Sequence, residues 1–432
     1  MARLAAKSRK RTPPRPARVV IDARPVQEPE RAPLTAEYLE HLLRAFAAEP
    51  LEGESFVILS RTLRPDPADE LIRAGLPVVA RRRLPPTSRV FRSAGLTLDS
   101  FLLRGAEVGT AAGALGAAGA PGTAGALFHT AGGAVPIASR LPVVATLLDM
   151  APWELPQTYA TSPAARFGHR LRARVLRDAA RVIVCSRATA ESARRRLHLP
   201  RERLAVVPLA VDEELRSAGQ DAEYVAATRK RLALPQRYIC FAGRYDARKD
   251  MRTLFQALDS ARGRRSTTEG SEESPALVVA LTGDDGVEPQ LVADAAAANR
   301  VADLVKVVVA RGARERGAVI AGAEAFAYPS LSEATALPAL EALALGIPVI
   351  CSRTGALPET VGSAGIVVEP RDPNRLAAAI EALWSGGSLA DQLHRQARKR
   401  ATTPRRTWSD VARETREVYA AALAGAAGGV LA

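Results

Sequence analysis

Aromatic residues make up only 4% of this chain of 432 residues, and cysteine occurs three times, as Cys185, Cys240 and Cys351. An odd count, wide separation and placement at or beside apolar runs exclude a disulfide framework and a zinc cluster. Reduced core thiols of a cytosolic protein are expected instead. A membrane-spanning run is missing too. The residues between Glu107 and Arg140 include no Lys, Arg, Asp or Glu, but their glycines, with Pro121 and Pro136, argue for a flexible loop before a strand at 126–128. No apolar segment follows the basic N-terminus before Val19, so no signal peptide is expected. Acidic residues are absent from the first 18 positions, where Arg3, Lys7, Arg9, Lys10, Arg11, Arg15 and Arg18 alternate with Pro13, Pro14 and Pro16. That composition predicts a basic disordered tail over 1–17.

Apolar residues are plentiful, at 47%, and are mostly Ala, Val and Leu. The length predicts two domains, and the composition suits alternating strands and helices packed on parallel sheets. The net charge of +14 is uneven: residues 1–215 hold 32 Lys and Arg against 21 Asp and Glu, and 216–432 hold 28 against 25. Basic clusters fall at 81–83, at Arg166, Arg170, Arg172, Arg174 and Arg177, and at 194–196. No aromatic residues are interleaved with them as a nucleic-acid stacking platform requires, so nucleic acid is not an expected partner. The clusters read either as solvated helix faces or as peripheral contacts with anionic lipid.

Short apolar runs predict strands at 18–22, 56–60, 78–80, 126–128, 142–147 and 182–185, then at 237–242, 276–282, 304–309, 325–328 and 347–351. Residues 211–220 read as a linker and 264–274 as a mobile polar insertion. The domains are therefore drawn as 18–215 and 216–405, with a last helix over 406–432.

One segment carries the chemistry. Residues 326–369 predict a strand, a loop and a helix, with Glu333 just before the helix and Glu341 inside it; Pro338 suits the first turn and Gly346 the stop. A loop ending at a helix N-terminus is a favourable anion site. By spacing alone the two carboxylates read as acidic residues at a helix start, or as acceptors for sugar and ribose hydroxyls. Upstream, Gly243, Arg244 and Lys249 follow a predicted strand; taken alone, an Arg and a Lys five apart in a turn read as solvated cations.

The run of Pro329, Ser330, Glu333, Leu337, Pro338, Leu340, Glu341, Ala342, Ala344, Gly346, Pro348 and Val349 resembles the nucleotide-sugar signature of the retaining family 4 glycosyltransferases. Gly355, the Leu357-Pro358-Glu359 triplet, the stretch 365–368 and Trp408 are similar to that family as well, as are 18–25, 142–152 and 181–212. The resemblance implies an α/β chain of the GT-B fold, two doubly wound Rossmann-like domains facing a cleft. It implies transfer of a hexose, mannose or glucose, from a nucleoside-diphosphate sugar to a saccharide or lipid-linked acceptor hydroxyl. Transfer would be front-face, with the departing phosphate helping to deprotonate the acceptor and with neither cofactor nor metal. Glu333 and Asp149 are the implied catalytic residues. Gly243, Arg244, Lys249, Arg311, Ser332, Thr335, Ala336, Leu337 and Glu341 are the implied donor contacts. The expected location is the cytoplasm, with peripheral contact at the inner membrane face. The sequence departs from the family at Leu148, where it has a histidine, at Ala334 and Ala336, where it has glycines, and at 30–35, where many members have a glycine-rich loop. These departures are what support the alternative to the leading enzyme reading, a noncatalytic protein that binds a nucleotide or a partner enzyme. His129 is a further strand-end candidate.

Overall fold

The structure, a computed structural model, describes residues 16–84, 102–103, 125–132, 135–136, 139–266, 274–283, 286–403 and 405–428. Nearly all of the basic tail, most of the glycine-rich stretch and most of the polar insertion lie outside them.

Two parallel sheets organise the chain. The first has the order β3-β2-β1-β5-β7-β8-β9, built from β1 (Arg18–Asp22), β2 (Ser55–Arg61), β3 (Val78–Leu84), β5 (Ala126–Ala131), β7 (Val143–Leu147), β8 (Arg181–Val184) and β9 (Leu204–Val206). The short strands β4 (Leu102–Leu103) and β6 (Val135–Pro136) pair separately. The second sheet has the order β12-β11-β10-β13-β14-β15, from β10 (Ile239–Gly243), β11 (Leu277–Leu281), β12 (Val305–Val309), β13 (Ala325–Tyr328), β14 (Val349–Ser352) and β15 (Gly365–Val368). Central strands such as β11 and β13 are buried along their whole length, as parallel strands covered on both faces must be. In each sheet the order reverses beside the first strand. The crevice at the strand carboxyl ends there, between β1 and β5 and between β10 and β13, is where such folds bind ligands. The last helix, Trp408–Gly428, packs back onto β5, β7 and β8 of the first sheet. Among the described residues no helix is long and apolar enough to cross a membrane.

The connection at 211–220 is largely helical: Asp212 caps the helix Glu213–Gln220, accepting from the Glu214 N–H at 2.7 Å, and two glutamates in its first turn favour the helix dipole. Three expectations are corrected. Arg81, Arg82 and Arg83 lie not on a helix but on the edge strand β3, where cations discourage pairing with another chain. Arg172 does not join the exposed basic run; it is buried over the Trp153 ring and donates to the Gly132 carbonyl at 3.1 Å. His129 is a core residue. Its Nε2 lies 2.9 Å from Thr146 Oγ1 and its Nδ1 2.6 Å from the Tyr419 hydroxyl, and burial pushes its pKa down to about 3.

Candidate active site at the interdomain cleft

The chain leaves β10 through Gly243, whose φ of +146° is open to glycine and rare for other residues. A single turn follows at Ala247–Lys249, capped by Asp246, which accepts from the Arg248 N–H at 2.8 Å. This turn swings Lys249 inward, beneath the loop that leaves β13. The Lys249 ammonium donates to Glu333 Oε1 and to the Tyr328 hydroxyl. Glu333 Oε1 also accepts from Tyr328 at 3.1 Å and from Ser330 Oγ at 3.0 Å. All four side chains are buried. Burial raises the Glu333 carboxyl, but Lys249 and Arg248 outweigh it and hold the group below the ordinary carboxylate range. Three aromatics stack here: Tyr328 lies against Phe241 and Phe326, with ring centroids 5.6 and 5.7 Å away.

The loop 330–337 is fixed from both sides. Glu333 O accepts from the Ala356 N–H at 2.8 Å, and a Cβ on Gly355 would lie 2.0 Å from that same oxygen, so only glycine permits the approach. Ala336, directly before the helix Leu337–Ala344, adopts φ +50°. A left-handed alanine costs about 1 kcal/mol that glycine would not. Ala334 explains why a methyl is useful nearby. Its side chain packs in the first domain's core with Leu147 and Met150, and its carbonyl accepts from Ser186 Oγ at 3.2 Å and Thr189 Oγ1 at 2.7 Å. Ser332 Oγ crosses the cleft to Glu154 at 2.5 Å. Thr335 and Leu337 are buried in the same turn.

Glu341 faces a different partner. Arg316 Nη2, from the helix Gly312–Ala321, donates to Glu341 Oε1 at 2.8 Å and to Glu37 Oε1 of the first domain at 3.1 Å. Burial raises the Glu341 carboxyl to about 7, with Arg316 opposing and Glu37 adding to the rise. Glu37, His41 and Asp212 offer ligand atoms within 4.8 Å of one another, as a metal site would, but the guanidinium already pairs with Glu37. An ion-pair hub joining both domains and the start of the helix Glu213–Gln220 describes this cluster better.

Three more links close the cleft. Arg248 Nη1 donates to Asp149 Oδ1 at 2.8 Å, and Tyr159 OH donates to Asp246 at 2.6 Å. Glu359 accepts from the Arg187 and Ala188 N–H groups at 3.0 and 3.2 Å, capping a helix of the opposite domain. Asp149 also accepts from the Ala151 N–H at 2.9 Å, so it turns the chain as well as facing the cleft. Leu148, beside it, is only 2% exposed and belongs to the first domain's core.

Comparison with known proteins decides the family. The sequence profile described as Glycosyltransferase Family 4 matches residues 35–215, and that described as Glycosyl transferases group 1 matches residues 226–400. The chain belongs to the family 4 glycosyltransferases of the GT-B fold. This family 4 chain is 37% identical over 127 residues to the MMP alpha-(1->4)-mannosyltransferase of Mycolicibacterium hassiacum, covering 29% of the chain and 31% of the relative. It is 31% identical over 235 residues to the D-inositol 3-phosphate glycosyltransferase of Thermobispora bispora, covering 52% of each. The chain thus spans a third to a half of the length of these curated relatives. In fold it is similar to the solved sucrose-phosphate synthase from Thermosynechococcus elongatus, with a TM-score of 0.64 at 20% identity, over 93% of this chain and 98% of that one.

Within this family 4 chain, Lys249, Glu333 and Ser332 converge at the switch point, and Asp149 reaches the same region through Arg248. Arg244 lies at the mouth, donating to Glu288 at 2.6 Å and to the Glu30 carbonyl of the first domain at 3.1 Å. Arg311 stands apart, exposed at the end of the edge strand β12. Sequence reasoning missed Arg316, Glu37, Glu154, Glu288, Tyr328 and Arg248 as partners. Arg248 immediately precedes Lys249 in the chain; the others carry no local signal.

Proposed function

We propose that the protein is a retaining hexosyltransferase that moves mannose or glucose from a nucleoside-diphosphate sugar to a saccharide or lipid-linked acceptor, with the donor on the second domain. The observation that carries this reading is the joint between the loops after β10 and β13, where Lys249, Glu333, Tyr328 and Ser330 form one buried network at the start of the loop that leads into the helix Leu337–Ala344. A helix N-terminus and basic loops at a switch point suit a diphosphate. Arg244 and Lys249 would balance charge on the leaving phosphate, and Glu341 would accept from sugar or ribose hydroxyls after exchanging Arg316. No metal is assigned a role. The named relatives transfer sugars, which supports the class without fixing donor or acceptor. The setting that follows is the cytoplasm, with the acceptor met at the inner membrane face.

A noncatalytic binder is the second reading, favoured by Leu148 in the core and by Asp149 engaged with Arg248. Radiolabelled nucleoside-diphosphate mannose and glucose, incubated with the full chain, separate the two. A transferase turns donor over, and Glu341→Gln abolishes that turnover with the fold intact. Binding of nucleoside diphosphate by calorimetry, without transfer or hydrolysis of any donor, would establish the second reading instead.

A further inference from the structure

Between positions 163 and 203 the sequence carries twelve arginines and no lysine, against three acidic residues, Asp178, Glu191 and Glu202. On the helix Pro163–Asp178 the structure sorts them by face. Arg172, Val175 and Leu176 are buried, whereas Arg166, Arg170, Arg174 and Arg177 are exposed. At 3.6 residues per turn these four fall within an arc of roughly 80°, along about 16 Å of helix. Phe167 stands at the margin of the same arc and is 59% exposed. The adjacent helix Arg187–Leu197 packs beside it and adds the exposed arginines 194–196.

This stripe is unfavourable in isolation. Arg166, Arg170 and Arg174 are spaced i,i+4, and like charges at that spacing weaken a helix by a few tenths of a kcal/mol per pair. Among the described residues Arg170, Arg174 and Arg177 have no ion-pair partner, and Arg166 reaches only the Ala160 and Thr161 carbonyls at 3.2 and 3.5 Å. A partner with many closely spaced negative charges relieves the repulsion. The exposed ring narrows its chemistry: one aromatic beside a flat row of cations suits phosphate headgroups over an acyl boundary, whereas single-stranded nucleic acid needs several stacking rings.

We propose that the exposed face of the helix Pro163–Asp178 docks on an anionic lipid bilayer, the four arginines against headgroup phosphates and Phe167 entering the acyl boundary. The helix starts four residues after Tyr159, which bonds Asp246 across the cleft, so its N-terminal end lies near the cleft on the first-domain side. This attachment does not depend on whether the protein transfers a sugar.

The test is cosedimentation of the full chain with sucrose-loaded vesicles, either phosphatidylcholine alone or phosphatidylcholine mixed with phosphatidylglycerol. Binding is expected to the mixed vesicles only and to fall with salt. Arg170→Gln/Arg174→Gln should lower partitioning about 25-fold, about fivefold for each arginine near an anionic surface, and Phe167→Ser should lower it several-fold. The equal-charge control Arg395→Gln/Lys399→Gln, on the helix Ser388–Thr402 of the other domain, should bind as the parent does. Circular dichroism verifies that each variant is folded. Parent-like binding by the Arg170/Arg174 variant would overturn the proposal and assign the attraction to another surface. Tighter binding to single-stranded nucleic acid with the same residue dependence would also overturn it.

Discussion

The Lys249 ammonium and the Glu333 carboxylate are 84 positions apart in the chain and meet in a single buried ion pair. That pair fastens the loop after β10 to the loop after β13, the two loops that flank the switch point of the second sheet. Its burial makes each partner dependent on the other.

Removing one member of a buried pair leaves an uncompensated charge and costs about 3–5 kcal/mol, whereas apolar replacement of both is often close to neutral. Lys249→Met and Glu333→Leu should each lower stability by that amount, and the double variant should regain most of it. Urea denaturation of all four proteins measures the coupling; strictly additive losses would show that the two groups do not interact.

Glu341 should make stability pH-dependent in a defined direction. Its folded pKa, near 7, lies above that of an unfolded glutamate, so the folded state holds a proton that the unfolded chain has released. The stabilisation is complete below about pH 4.5 and disappears as pH rises through about 7, a change of about 3 kcal/mol. Glu341→Gln should lack this component, so its urea midpoint relative to the parent should rise between pH 5 and 7. A constant difference across that window would refute the assignment.

Gly355→Ala sets a Cβ against the Glu333 carbonyl at 2.0 Å, at a φ of +48°. A loss of about 2–5 kcal/mol is expected from overpacking and left-handed strain together. Because the contact is with the loop that carries Glu333, nucleoside diphosphate binding should weaken as well. An unchanged melting temperature would mean that the two backbones part easily.

Leu148→His restores the family's residue type but places a polar ring in a core beside Val144 and Ile183. Burying an unpaired imidazole costs about 1–3 kcal/mol. Reduced stability with no gain in transfer is the expected result, read by thermal denaturation and a donor-turnover assay. A rise in turnover would show that this position opens onto the reacting sugar.

Much of the fold was legible because its signals are local. Continuous apolar runs marked the central strands 325–328 and 18–22, and Pro338 and Gly346 bracketed the helix Leu337–Ala344. Where longer contacts decide, local reading failed. The arginines 81–83 gave no sign that they lie on an edge strand, because edges are defined by sheet order. His129, a strand-end candidate by sequence, is a core residue because Tyr419, 290 positions later, closes its second hydrogen bond.

The sequence by itself determined the α/β class, the position of the loop 330–337 and the identity of its charged residues, because strand runs, helix stops and twelve motif matches within 329–349 are written over short distances. Only the tertiary structure decided who faces whom. It gave Glu333 to Lys249 and Glu341 to Arg316, turned Arg172 inward and its four neighbours outward, and placed Ala334 in the core of the opposite domain. Charge pairing and burial depend on distance in space, and residues far apart in the chain acquire that distance only when both sheets have formed and closed on each other.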